Sequence, residues 1–423
     1  MNFKETRSNQ IVSFLEAVND KKSPNNSLYV PINIPNIYDK LSQDMDYRSV
    51  LFTVLKSFIT EISEDKLLEI SDIKGEPIVN KNFAELYHTD TLTHHDFANQ
   101  VLINFLKYKK ELIQTISTGD NAISLLQVIK QPCELLISSN LTKCEKKMLK
   151  LFSDSEYSII DRYYSDIETK KQITDTTNII YIIVQVATMF YCYLQLIKQK
   201  QIVEDQKINV ALSIGTFSNA ISCYYAKKAG LPINVIICGE NLNRPVYNMF
   251  RSNKLFRQLN CQLTNTPQLD ILYPRNIERL IFEIFEQDFD KTRNAMDSFE
   301  SNNETPISIM GNPVAKNFYI NYANNIEVSK QIYSEFSKNS KLINPITAIA
   351  MISYNKFVRE SNDNSYTLIL ETSSPYKDYH EVCQSLGVDT EDSTDIQILY
   401  TLENITKMEV PQQIIDICQI KIN

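Results

Sequence analysis

The chain has 423 residues, 43% of them hydrophobic and 22% charged, enough apolar material for two or three domains with substantial cores. A net charge of −8 with no compensating basic block excludes a general nucleic-acid binder. Eight cysteines without a CxxC pair, after a polar Met1–Gln10 start, read as reduced thiols of a cytoplasmic protein, not as a disulfide framework or a zinc site. Glycine is the outlier, with 7 residues where average usage of about 7% predicts several-fold more. The chain is also rich in Ile, Asn, Lys and Tyr, so drift toward AT-rich codons accounts for much of the missing glycine.

Taken in order, Val12 to Val18 has helical spacing, with Phe14, Ala17 and Val18 on one face, and Ser27 to Pro31 follows as an extended connector. Tyr47 to Leu68 repeats apolar positions at helical spacing, which predicts a helical N-terminal region. Ile113 to Ile116 reads as a strand, Ser117 to Asp120 as a turn and Ala122 to Ile129 as a helix. A small-residue turn feeding a helix N-terminus is a general anion-binding geometry. Asn178 to Ile197 is uncharged and apolar, about the ~20 residues needed to cross a bilayer. Asn178, Gln185 and Gln195 lie within it and no second such stretch exists, so it reads as a buried helix of a soluble protein, packing Tyr181, Phe190, Tyr191 and Tyr193 against a sheet. Lys207 to Ser213 reads as a buried strand that runs through a small-residue loop into the helix Ala220 to Gly230. Gly230 stops that helix and Pro232 lies just beyond. Asn303 to Asn325, with Pro306, Gly311 and Pro313, reads mostly as loop. Strands alternating with helices indicate an α/β fold.

The stretch Glu85-Leu86-Tyr87-His88-Thr89-Asp90-Thr91-Leu92-Thr93-His94-His95-Asp96-Phe97-Ala98-Asn99-Gln100 resembles the active-site segment of threonine synthases, which runs approximately E-L-F-H-G-P-T-L-A-F-K-D-F-A-x-Q. In that family the lysine holds pyridoxal phosphate as an imine, and it falls on His95. An imine needs a primary amine, because one nitrogen must give up two hydrogens. A ring nitrogen cannot do so, although imidazole can still donate, accept or carry a proton.

The resemblance continues in order along the chain. Leu28 to Pro31 matches L-Y-V-P. Ser117, Thr118, Gly119 and Asp120 fall on the family's T-S-G-D substrate loop, with Ala122 where its last glycine stands. The lysine of a P-K-G segment becomes Ser139. Gly215, Thr216, Phe217, Ser218 and Asn219 fall on the family's G-N-F-G-N loop, which wraps the cofactor phosphate. Gly215, Phe217 and Asn219 match, whereas Thr216 and Ser218 replace an asparagine and a glycine. Arg279 lies in a segment like N-F-E-R-L, where a structural role is implied. Asn344 and Ile346 replace the acid and histidine of D-P-H-T-A. Thr372 falls on the threonine that faces the cofactor's pyridine nitrogen, in a segment like L-A-T-A-H-P-A-K that ends at Lys377.

The resemblance implies a tryptophan-synthase-β-like α/β fold (pyridoxal-phosphate fold type II). It would have two α/β domains with a central cleft plus a helical N-terminal segment, divided as 1–80, 81–205 and 206–423. The family converts O-phosphohomoserine to threonine and phosphate. Changes concentrated at the site of a preserved scaffold indicate a pseudoenzyme that keeps a binding or regulatory role. The competing reading is an active threonine synthase or other lyase-type enzyme with a rearranged, non-imine site. No covalent cofactor is expected, which leaves pyridoxal phosphate only as a weak non-covalent ligand. The expected partner is a small anionic ligand or another protein, not nucleic acid or membrane. No metal site is expected from His88, His94, His95 and Asp96, since adjacent residues on a helix point to different faces. Whether another lysine, such as Lys107 or Lys109, turns toward the cleft is left open.

Overall fold

The computed structural model of the chain describes residues 2–19, 27–109, 114–117, 119–129, 134–138, 141–152, 157–160 and 176–420. Its centre is a six-stranded sheet in the order Phe318–Tyr322, Ile233–Glu240, Ile208–Ser213, Thr367–Glu371, Phe83–Glu85, Ile78–Asn80. The first five strands are parallel and the last is antiparallel. Burial on both faces explains why Ile208–Ser213 and Thr367–Glu371 are buried along their whole length. A separate sheet of three parallel strands, Gln114–Ser117, Glu134–Ser138 and Tyr157–Ile160, forms the second layer system. The structure therefore has the mixed α/β architecture that the alternation of strands and helices implies.

Ahead of these layers, the helices Tyr47–Phe58 and Glu64–Ile70 match the helical spacing of the N-terminal region. That region also contains a three-stranded antiparallel sheet, Ile11–Ser13, Asn2–Glu5 and Tyr29–Pro31. The first turn predicted from Val12 is strand, and the helix starts at Phe14, with Phe14, Ala17 and Val18 buried as their spacing requires. Segment 303–325, read as loop, contains a five-residue strand, Phe318–Tyr322, at the edge of the main sheet. Its Phe-Tyr-Ile-Asn-Tyr pattern is short and half-polar, as an edge strand with one covered face allows.

The apolar run becomes the helix Ile179–Lys198, capped by the Asn178 side chain on the N–H of Ile180. It is long and apolar enough to cross a membrane, and 94% of its apolar window is buried inside the protein. It packs among the helices Tyr47–Phe58, His95–Lys109 and Ser218–Lys228 more than against a sheet. That explains an all-round apolar surface, since a helix enclosed by others has no polar face to keep. Its polar atoms find partners, as burial demands. Tyr181 Oη donates to Asn99 Oδ1, Tyr193 Oη to the Gln206 carbonyl at 3.0 Å, Tyr191 Oη to Glu76 at 2.9 Å, and Ser222 Oγ to Gln185 at 2.9 Å. Arg279, fully buried, donates to the carbonyls of Tyr29 and Thr177 and to Asn276. The neighbouring acid Glu278 is taken instead by Arg7 at 2.8 Å. Phe190 is completely buried on the long helix. Phe190→Ala should lower stability by about 3–5 kcal/mol through lost transfer energy and the cavity left behind. The check is urea unfolding, with a lower midpoint at unchanged slope.

Candidate functional site

Parallel strands place their following loops at one edge of the sheet, and ligands of open α/β sheets sit there. After Phe83–Glu85 the chain runs back along the end of Thr367–Glu371. The Leu86 N–H donates to the Glu371 carbonyl at 2.9 Å, the His94 N–H to the Thr372 carbonyl at 2.9 Å, and the Ser374 N–H to the Leu92 carbonyl at 3.1 Å. Asp96 ties the same loop down by accepting the Thr91 N–H at 2.8 Å. The helix His95–Lys109 then begins, so His94 lies just outside it and His95 is its first residue. The two rings stack with centroids 4.0 Å apart, and both line one cavity. This corrects the expectation that adjacent histidines diverge: only one of them is helical.

The cavity has a volume of about 90 Å³ and lies between the two parallel sheets. One wall carries Gly119, Asp120 and Glu145, and the other carries Ser213 to Ala220 and Thr372. Gly215, Thr216, Phe217, Ser218, Asn219, Thr372, Gly119, Asp120 and His95 therefore meet in one place. Ser117 ends the strand Gln114–Ser117, and Thr118 and Ser139 lie outside the described residues. The predicted turn at 117–120 is shorter than its composition suggests, because the helix already begins at Gly119. A Cβ on Gly119 would stand 2.7 Å from Glu145 Oε1 and closer still to Leu141, so this glycine is required by packing.

The loop from Gly215 forms a cup. Its left-handed residue is Phe217, with φ of 69°, and not the position where the family has its second glycine. Ser218 is the first residue of the helix Ser218–Lys228, which is why serine is tolerated there. The Phe217 ring turns into the core against Phe318, with centroids 5.9 Å apart. The Ser218 hydroxyl is engaged by Thr216 at 3.4 Å and Gln185 at 3.5 Å. Neither side chain fills the cup. At Gly215 a Cβ would meet only ordinary neighbours, the nearest at 3.5 Å, so the protein's own packing does not demand glycine there. The first-turn N–H groups of the helix have no intrahelical acceptor, and Ser218, Asn219 and Ala220 line the cavity.

Electrostatically the site is sparing of positive charge. Among the described residues, no lysine or arginine lines the cavity. Lys377 is 2% exposed behind Asp120, to which its Nζ donates, and it also reaches the Thr91 carbonyl at 3.2 Å. Burial works against its charge, but Asp120 and Glu145 more than reverse this, and its pKa is raised. Lys107, by contrast, is exposed on its helix. Desolvation brings His94 down to about 4 despite the Thr372 hydrogen bond, and lowers His95 further, with His94 and Lys377 adding to the effect. His94 is therefore a neutral ring. Its Nδ1 lies 3.1 Å from the Thr372 carbonyl, which can only accept, so Nδ1 carries the hydrogen and Nε2 faces Asn219 Nδ2 at 3.5 Å. His95 Nδ1 is buried without a hydrogen-bond partner among the described residues.

Sequence reasoning gave no role to Glu145 or Lys377. The signal for Glu145 was present: Thr142-Lys143-Cys144-Glu145 is a T-x-x-E capping pattern. The Thr142 N–H donates to Glu145 Oε2 at 2.7 Å and the Glu145 N–H to Thr142 Oγ1 at 3.1 Å. His88, by contrast, lies outside the cleft. It pairs with Glu85 at 2.7 Å on a second, larger cavity of about 860 Å³, where Glu85 also meets Lys341. Among the described residues no group of three His, Cys, Asp or Glu could hold a metal ion.

Residues 2–73 match the family described as threonine synthase N terminus. Threonine synthase-like 1 of Macaca fascicularis is 22% identical over 271 residues, which is 63% of this chain and 35% of that protein. The chain is similar in sequence to threonine synthases and threonine synthase-like proteins. It spans about a third of the length of the threonine synthase-like 1 protein it matches. The fold is that of the threonine synthases. The crystal structure of the yeast enzyme has a TM-score of 0.82 at 18% identity, covering 99% of this chain and 94% of that one. The PLP-bound threonine synthase of Brucella melitensis has a TM-score of 0.78 at 20% identity, covering 100% and 95%.

The neutral His94 carries a testable pH signature. In the unfolded chain it binds a proton near 6.5, whereas in the folded protein it does so only near 4. Its contribution is therefore complete above 6.5 and lost as pH falls toward 4, up to roughly 3 kcal/mol. His94→Asn should make stability, measured by denaturant midpoint, less steep over that interval than in the parent.

Proposed function

We propose that the protein is a threonine-synthase-like pseudoenzyme: it keeps the family's cleft as a binding site but does not convert O-phosphohomoserine to threonine. The observation that carries this reading is the chemistry of the cavity wall. An imidazole stands at the position the resemblance gives to the cofactor lysine, and no amine lines the cavity among the described residues.

When bound, pyridoxal phosphate supplies an electron sink for carbanion chemistry. The residues fit one end of that molecule and not the other. The open N-terminus of Ser218–Lys228, the hydroxyls of Thr216 and Ser218 and the Thr372 wall suit a phosphate and a planar ring. The opposite end meets the neutral rings of His94 and His95, which cannot take up an aldehyde as an imine. The cofactor or a molecule like it is accordingly a non-covalent, exchangeable ligand here, and no chemical step is assigned to it. A substrate bearing its own phosphate would find, among the described residues, no lysine or arginine to pair with in this cavity.

Seven described cysteines are free, six of them buried, and the long apolar helix is enclosed by the protein's own helices. Both support a soluble protein of a reducing compartment, and we place it in the cytoplasm, with a small anionic ligand as its partner.

Borohydride reduction of the protein incubated with pyridoxal phosphate, followed by peptide mass spectrometry, should give no phosphopyridoxyl lysine in the cleft, and O-phosphohomoserine should yield no threonine above background. His95→Lys should gain the reduced adduct. An adduct in the parent chain, on Lys377 or any other cleft lysine, would overturn the reading.

A further inference from the structure

The helix Asn325–Asn339 buries Val328, Ile332 and Glu335, the i, i+4, i+7 stripe that an amphipathic helix turns to the core. A carboxylate therefore stands where the spacing calls for an apolar residue, and burying one without a cation is costly. Glu335 is 6% exposed. Asn339 Nδ2 donates to its Oε1 at 2.8 Å, and its Oε2 has no partner among the described residues. Glu335 lines the larger cavity, of about 860 Å³, which shares no lining residue with the cleft.

Two more carboxylates stand in the floor of that cavity. Glu85 and Glu371 are paired in register at the ends of adjacent parallel strands. Lys341 Nζ bridges them at 2.7 Å from each, and His88 Nε2 lies 2.7 Å from the other Glu85 oxygen. Glu85, Glu335 and Glu371 thus surround one lysine, and counting His88 as protonated still leaves a carboxylate over. Burial pushes Glu371 up to about 7 against Lys341, with Glu85 and Glu335 adding to the rise, so the excess of negative charge is felt there. At the mouth Lys74 and Lys81 are matched by Asp90 and Glu409, all four exposed.

We propose that this cavity is a second ligand site, which binds a small organic ammonium ion. The ammonium pairs with Glu335 Oε2 beside the Glu85–Lys341–Glu371 cluster, and an apolar body lies against Tyr87, Leu92, Leu342 and Tyr376. A charge-assisted hydrogen bond to an ammonium satisfies the oxygen that the protein leaves open. Tyrosine faces attract a cation as well as its apolar body. A metal ion does not fit: among the described residues no group of three His, Cys, Asp or Glu could hold one, and the volume is that of a small-molecule site. An anion fits no better, because Lys341 is already taken by two carboxylates. The site lies outside the cleft and does not rest on the reading given to it.

The test uses the full chain and three probes with one body and different heads: phenethylamine, phenethyl alcohol and hydrocinnamate. By calorimetry the amine should bind about tenfold more tightly than the alcohol or the carboxylate, as a hydrogen bond to a charged group allows. Glu335→Gln keeps an amide oxygen for Asn339 and should bind the amine about tenfold more weakly than the parent. Its urea midpoint should be no lower, because it removes a buried charge without a cation. The chain has no tryptophan, and Gln413 is exposed where it lines the mouth, so Gln413→Trp supplies a single reporter. Its emission should change with the midpoint that calorimetry gives for the amine. Alcohol or carboxylate binding as tightly as the amine would overturn the proposal. So would unchanged affinity or a lower urea midpoint in Glu335→Gln, or amine binding that leaves the tryptophan emission unaltered. None of these results bears on imine formation in the cleft, and a borohydride-fixed adduct there would leave this proposal standing.

Discussion

The site depends on one piece of backbone pairing. The segment from Leu86 to His94 is stitched to the strand end at Glu371 to Ser374 through N–H···O=C bonds, with Thr93 bridging Ser373. Thr93 and Thr372 are 279 residues apart, yet the bonds place the His94–His95 corner against Thr372, at the carboxyl edge of the sheet. Because the stitching is main chain to main chain, it tolerates exchange of the side chains it presents. A lysine can give way to a histidine at position 95 without moving the helix that starts there. That is a physical reason why one fold can carry different side chains at its site.

The electrostatics are consistent with such an exchange. A desolvated ammonium needs an anion to stabilise it, whereas a neutral imidazole needs only a hydrogen bond. His94 has that bond from Thr372, and its pKa falls with burial. The buried cation behind the cavity wall, Lys377, is balanced by Asp120, so their pair is closed within the wall. What lines the cavity is then a helix N-terminus, several hydroxyls, two neutral rings and the carboxyl of Glu145, whose pKa burial raises. Such a lining offers hydrogen-bond donors and a helix N-terminus and, among the described residues, no lysine or arginine.

Legibility followed burial and periodicity. The helix Ile179–Lys198 was plain from an uncharged apolar run, whereas Asn178, read only as a polar residue within that run, is its cap. The strand Ile208–Ser213 was plain from its apolar content, and the stop at Gly230 from its φ of 101°, which favours glycine. The strand Phe318–Tyr322 was not legible, because an edge strand needs neither a continuous apolar run nor a clean alternation. The start of the helix at Gly119 was missed for a related reason: Ser, Thr, Gly and Asp suit a turn and a helix N-terminus equally. His94 and His95 read as a helical pair pointing apart, since nothing local announces that the helix begins between them.

The sequence by itself determined which backbone segments become strands and helices and which of their faces are buried, because periodicity and composition act over a few residues. It also determined that no amine stands at position 95. Only the tertiary structure decided what surrounds that position. Glu145 becomes a cleft residue because the helix Lys143–Phe152 packs beside Gly119. Lys377 becomes unavailable because Asp120, 257 residues away in the chain, is there to hold it. Protonation states follow from such meetings. A carboxyl, an imidazole and an ammonium carry their solution affinities in the unfolded chain, and only desolvation and through-space neighbours, both products of the folded packing, change them.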